Sequence, residues 1–192
     1  MYRKGEVYNE IKSIIIDIYI DYNVRKFPVD EKKLCRKMGV ALIPYSAFDK
    51  EGRKLLNKKS SKGFFVKESN SSPPTIYYND RFESEGEIRF TIFHELKHFV
   101  FEDDDDSQDD LADFFARYIM CPVPYLLLKN IVTTEEVMSY CNTTFTTAEH
   151  AVSNIINRKN KYGYKVFDYE VRLIEHLDPI LIEVYMNEKE LV

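Results

Sequence analysis

The 192-residue chain has no tryptophan, and its 14 tyrosines and 13 phenylalanines have to supply the large core side chains. Only three cysteines occur, Cys35, Cys121 and Cys141. An odd, widely spaced set does not build a disulfide framework or a cysteine zinc knuckle, and it points to a reduced, cytoplasmic setting. Excess positive charge is also missing. The net charge is −5, which argues against direct nucleic-acid binding or attraction to an acidic lipid surface. No apolar run is long enough to span a membrane, and "MYRKGEVYNEIK" lacks the apolar centre of a signal peptide. No internal repeat is visible. Apolar residues at 44% and charged residues at 31% are ordinary for a soluble globular protein. The length suits one domain over 1–192, with a core at about 6–130 and a helical C-terminal segment at about 131–192.

Local patterns give the expected elements. Val7, Ile11, Ile14, Ile15, Ile18, Tyr19 and Tyr22 recur at helical spacing. "PVDEKKLCRKMG" predicts a second helix, capped by Asp30 and ended before Gly39. Three strand-like runs follow, "VALIPY", "GFFVKE" and "TIYYN", and "SNSSPP" joins the last two as a hairpin loop. The lysine-rich stretch 50–67 is expected to be a mobile, solvated loop. A long apolar helix is predicted from Ser84 to Phe101, ended by the acidic run Glu102 to Asp106. Ser107 then caps another helix, with Asp110 completing the pair. It runs through "DLADFFARYIM" to Cys121, where Pro122 and Pro124 stop it. "FDYEVRLIEHLDPILIEVYMNEKEL" reads as two amphipathic segments split near Pro179, able to cover a cleft or to dimerise.

The chemistry lies in "RFTIFHELKHFVF". His94 and His98 are four residues apart, so on a helix both imidazoles sit on one face and can bind one zinc ion. Glu95, about 100° round the helix, can act as a general base toward a water in the open coordination position. The surrounding Phe90, Ile92, Phe93, Leu96, Phe99 and Val100 make this helix buried on most sides. Two histidines and a glutamate buried there without partners would be costly, and a metal removes that cost.

A catalytic zinc needs a third protein ligand. Asp104 lies ten residues after His94, but that spacing requires a tight turn with glycine where Phe101 stands. "DDLAD" on the next helix is the better source. Asp109 and Asp113 share a stripe with Ala112 and Ala116, small enough for close approach to the first helix. Leu111, Phe114, Phe115, Tyr118 and Ile119 fall on the opposite side, toward the core. Asp109 is then the third ligand, and Asp113 accepts the N–H of a ligating histidine. As acids in a first helical turn, Asp109 and Asp110 also suit the helix dipole.

With "RFTIFHELKHFVF" followed by "DDLADFFARYIMCP", the chain resembles the ImmA/IrrE family of zinc metallopeptidases, gluzincin-like enzymes of bacteria and mobile genetic elements. The family pattern has R-F-T before a helical H-E-x-G-H, then E-x-x-A-[DN]-x-F-A ending near M-P. The likeness reaches from about Ile11 to Pro124, and more loosely to Arg158. Two positions depart from it: Asp109 stands where the family has glutamate, and Lys97 where it has a small residue. The resemblance implies an α+β, zincin-like fold, with a small antiparallel or mixed sheet packed on the metal-binding helix plus additional helices. It also implies a cytoplasmic zinc endopeptidase whose protein substrate is a helix-turn-helix repressor encoded nearby.

Lys97 is expected off the metal face, its flexible stem carrying the ammonium to solvent beside the acidic run. His150 is a candidate transition-state donor from across the cleft, although a surface helix histidine explains it as well. His176 belongs to no motif. "TIYYN" can offer a strand edge to an extended substrate. The run "EEVMSYCNTTFTTAEHAVSNIINR" has the form of a helix-turn-helix, yet its second helix opens on Thr146, Thr147 and Glu149 rather than on basic groups. A helical pair packed on the catalytic core is the expectation. Two rival functions remain: a zinc-stabilised, non-catalytic module that grips a regulator or toxin, which Lys97 and Asp109 favour, and a DNA-binding regulator built on residues 133 to 157.

Overall fold

A computed structural model of the chain describes residues 4–81, 84–102 and 109–190. By its internal contacts the chain falls into two compact units, 30–116 and 1–29 with 117–192. Those contacts divide at 29/30 and at 116/117, where the sequence reading sets its boundary at about 130.

Residues 30–116 hold a three-stranded mixed sheet in the order β1-β3-β2, with β1 at Ala41–Pro44, β2 at Gly63–Val66 and β3 at Thr75–Tyr78. β1 runs parallel to β3, and β2 antiparallel to it. All three strands lie inside the expected runs, but "TIYYN" is the central strand, so its backbone groups are used on both sides. The free edge of the hairpin belongs to β2 instead. Asp30 caps helix α2 (Glu31–Lys37) as expected, accepting from the Lys33 N–H at 2.8 Å.

The expected loop over 50–67 is mostly ordered structure: helix α3 (Lys50–Lys59) leads into β2. Asp49 caps α3 by accepting from the Gly52 N–H at 2.7 Å, and Lys54 donates to Glu51 at 2.9 Å. No residue of α3 is buried. Leu55 and Leu56 are its only large apolar side chains, too few to form a stripe, so its cap is the clearest mark of a helix.

Helix α4 (Glu85–Phe101) carries the histidine motif and packs on β2 and β3. Gly63 permits the close approach. A Cβ there would lie 2.8 Å from Thr91 Cγ2 and 2.9 Å from the Tyr77 carbonyl oxygen. Gly63→Ala should push β2 off α4 and destabilise the protein by about 1–3 kcal/mol. Thermal melting reads this, and an unchanged melting temperature would show that the strand gives way freely. Arg89 ties α4 to α2 through its buried ion pair with Glu31, at 3.3 Å. α4 ends where Glu102 adopts a left-handed backbone, φ 52°.

Helix α5 (Asp109–Met120) crosses the boundary between the units. Its predicted cap, Ser107, lies outside the described residues, as does Asp104. Along α5, Phe115, Tyr118 and Ile119 are buried as expected. Ala112 and Ala116 are buried just as fully, while Leu111 and Phe114 are only half-buried.

The second unit is helical: α1 (Lys4–Asp21), the end of α5, α6 (Val123–Leu128), α7 (Thr134–Cys141), α8 (Phe145–Tyr162), α9 (Asp168–Leu177) and α10 (Pro179–Glu190). Ile11, Ile15 and Tyr19 of α1 are wholly buried, as are Leu173 and Ile174 of α9, the helix against which α1 packs. Pro124 does not only stop α5. It sits in the first turn of α6, where its missing N–H has no partner to lose. The helix-turn-helix-like run forms α7 and α8. They pack on each other, with α6 against α8, all within this unit. A buried fork of Arg158 onto Glu170, at 2.9 and 2.5 Å, fixes the end of α8 to α9.

Candidate metal centre

At 3.6 residues per turn His98 lies almost directly over His94 and Glu95 about 100° round from it, and all three line a cavity of about 770 Å³. β2 forms one wall of the cavity, and Asp109 and Asp113 of α5 contribute to another. One ligand atom each from His94, His98 and Asp109 lie within 4.8 Å of one another. His94 Nε2 is 3.8 Å from Asp109 Oδ1. Its other nitrogen, Nδ1, donates to Asp113 Oδ1 at 2.9 Å. A carboxylate can only accept, so this bond fixes the proton on Nδ1 and leaves the Nε2 lone pair facing Asp109. Two imidazoles and one carboxylate, one imidazole oriented by a second acid, are a donor set that suits zinc. Asp109 is 66% exposed, so its carboxylate meets the cavity at little desolvation cost.

Glu95 sits beside this group. Burial pushes its carboxyl above the usual carboxylate range, while the two histidines and a hydrogen bond from the Phe65 N–H oppose the rise. The Phe65 contact follows from strand geometry. Lys62 O accepts from the Asn79 N–H, so alternate residues 62, 64 and 66 face β3. Gly63 and Phe65 therefore turn their N–H and C=O outward, to the cavity. The Gly63 N–H is held by Ser60 Oγ at 3.2 Å. Sequence reasoning placed no role on these residues. The signal was present in a strand lying beside a lysine-rich segment, but which strand held the edge was not legible. Tyr45 belongs to the same neighbourhood. Its hydroxyl donates to the Ser60 carbonyl at 2.9 Å, and burial, helped by the Glu95 charge, raises its phenol to about 12.

Lys97 departs from expectation. It is 1% exposed rather than reaching solvent, and its ammonium lies 5.7 Å from the centre of the Phe101 ring. It does lie off the metal face, since it is not among the residues that line the cavity. Lys97→Gly should remove buried methylenes and add a helix-interior glycine, lowering stability by about 2–3 kcal/mol. Metal affinity should stay within a factor of about two. A large gain in affinity would show that the lysine reaches the site. His150 is exposed on α8 in the helical unit, outside the cavity lining. His176 donates from Nε2 to the Val24 carbonyl, 3.1 Å away, as a structural contact.

A small mixed sheet on a helix with two histidines one turn apart, and a third donor on the following helix, defines a zincin-like α+β protein. The IrrE N-terminal-like domain family, peptidase family M78, matches residues 35–153, and the chain belongs to that metallopeptidase family. No curated protein matches the chain.

Proposed function

We propose that the protein is a zinc-dependent endopeptidase of the cytoplasm whose substrate is a helix-turn-helix repressor of a mobile genetic element. The observation that carries the peptidase reading is the convergence of His94, His98 and Asp109 within 4.8 Å on the wall of an open cavity, with Glu95 alongside. His94, His98 and Asp109 would hold the metal, and Asp113 would keep His94 in the ligating tautomer. Zinc at this place supplies Lewis-acid activation of water and of a peptide carbonyl. Glu95 takes the proton of the attacking water on its carboxylate and passes it to the departing amine. Its raised proton affinity suits both halves of that exchange. The outward carbonyls of Gly63 and Phe65 can pair with an extended substrate, which would compete with Glu95 and Ser60 for the two N–H groups. Lys97, one of the two features that favour a non-catalytic module, is turned away from the cavity.

Native mass spectrometry of the purified chain, with the mass of each bound ion resolved, tests the metal. One zinc per chain is expected. A chain that stays metal-free in the presence of micromolar zinc would overturn the reading.

A further inference from the structure

The cavity walls carry opposite charges. Between Lys50 and Lys67 stand seven cationic side chains and one acid, Glu51, in a chain whose net charge is −5. Three of them, Lys59, Lys62 and Lys67, line the cavity on the β2 side. Lys62 and Lys67 bracket β2, five residues apart, a span of about 17 Å in an extended chain. Lys59 lies over the Phe64 ring at 4.0 Å, and Lys67 donates to the Glu102 carbonyl at 3.1 Å, so both ammoniums have a defined place. Glu95, Asp109 and Asp113 gather at the metal-site wall.

We propose that this cleft selects extended segments with acidic side chains on either side of the scissile bond, spaced to meet Lys62 and Lys67, and no acid at the bond itself. This rests on the reading that substrate lies along the edge of β2. A strand laid there passes both lysines, and its centre passes Glu95. Carboxylates at the two ends meet cations. A carboxylate at the centre meets Glu95, which touches β2 at the Phe65 N–H, and like charges disfavour it. Exposed pairs of this kind are individually weak, so the two ends together should favour acid over its amide by roughly three- to tenfold. The preference should fade at high salt.

The test is capture of a degenerate twelve-residue peptide library on the immobilised wild-type chain stripped of metal by a chelator, which keeps the Glu95 charge and prevents cleavage, followed by sequencing. The expected result is three- to tenfold enrichment of Asp and Glu at positions five apart, with depletion between them. The enrichment should vanish in the same chain carrying Lys62→Gln and Lys67→Gln, with circular dichroism showing that this variant is folded. No acidic enrichment, or equal enrichment with and without the two lysines, would overturn the proposal. Capture needs no hydrolysis. Acidic enrichment in a protein whose zinc-loaded wild-type form cuts no protein substrate would sink the peptidase reading alone, and cleavage of a regulator without acidic enrichment would sink this inference alone.

Discussion

Glu95→Gln is expected to slow peptide cleavage by roughly two to four orders of magnitude, the usual worth of a positioned general base. The amide keeps the shape of the side chain and removes its basicity. Glu95 is not one of the three convergent donors, so the variant should still bind metal. Its carbonyl oxygen can still accept from the Phe65 N–H, so the contact between α4 and β2 survives. The measurement is the rate at which fragments of a protein substrate form, at matched zinc content and with folding checked by circular dichroism. Cleavage at more than a tenth of the wild-type rate would remove Glu95 from the role of base.

His94→Ala is expected to abolish stoichiometric metal binding. The substitution takes away one donor and also strands Asp113, whose carboxylate now orients nothing. Asp109→Ala should do the same, because two imidazoles alone leave the site without its charge-compensating ligand. Asp109→Glu should restore binding, since the longer side chain can still reach the group while the exposed carboxylate adjusts. Asp113→Asn should weaken affinity by about 10–100-fold without abolishing it, as changes to a ligand's hydrogen-bond partner do. Equilibrium dialysis against a zinc-buffered chelator ranks the four. Full metal content in Asp109→Ala would place the third ligand elsewhere, for instance at Asp104.

The site was more legible than the frame around it. Two histidines and a glutamate in an apolar helix have few physical solutions, and the stripe of Asp109, Ala112, Asp113 and Ala116 sets one face apart by size and charge. The hydrogen bond from His94 to Asp113 is the arrangement that stripe implied. Strand order was not legible. "GFFVKE" and "TIYYN" look alike as short apolar runs, and only the parallel pairing of β1 with β3 makes the second one central. Helix α3 hid for a different reason: none of its residues is buried, so beyond its Asp49 cap it shows no apolar stripe to set it apart from a loop. Lys97 misled because a long cation can reach solvent from most helix positions. Here the ammonium instead turns inward, over Phe101. The helix-turn-helix-like run illustrates a general ambiguity. Two short helices with a capped turn, Thr133 and Glu136 forming the box, serve helical packing as readily as they serve DNA.

The account stands or falls on cleavage of a regulator. The direct measurement is intact-mass spectrometry of the proposed kind of substrate, a helix-turn-helix repressor of a mobile genetic element, co-expressed with the wild-type chain or with Glu95→Gln. The account predicts one discrete fragment pair with the wild type, whose masses sum to the regulator plus one water, and an intact regulator with the variant. A regulator left whole by the wild type, yet inactivated equally by both chains, would contradict it.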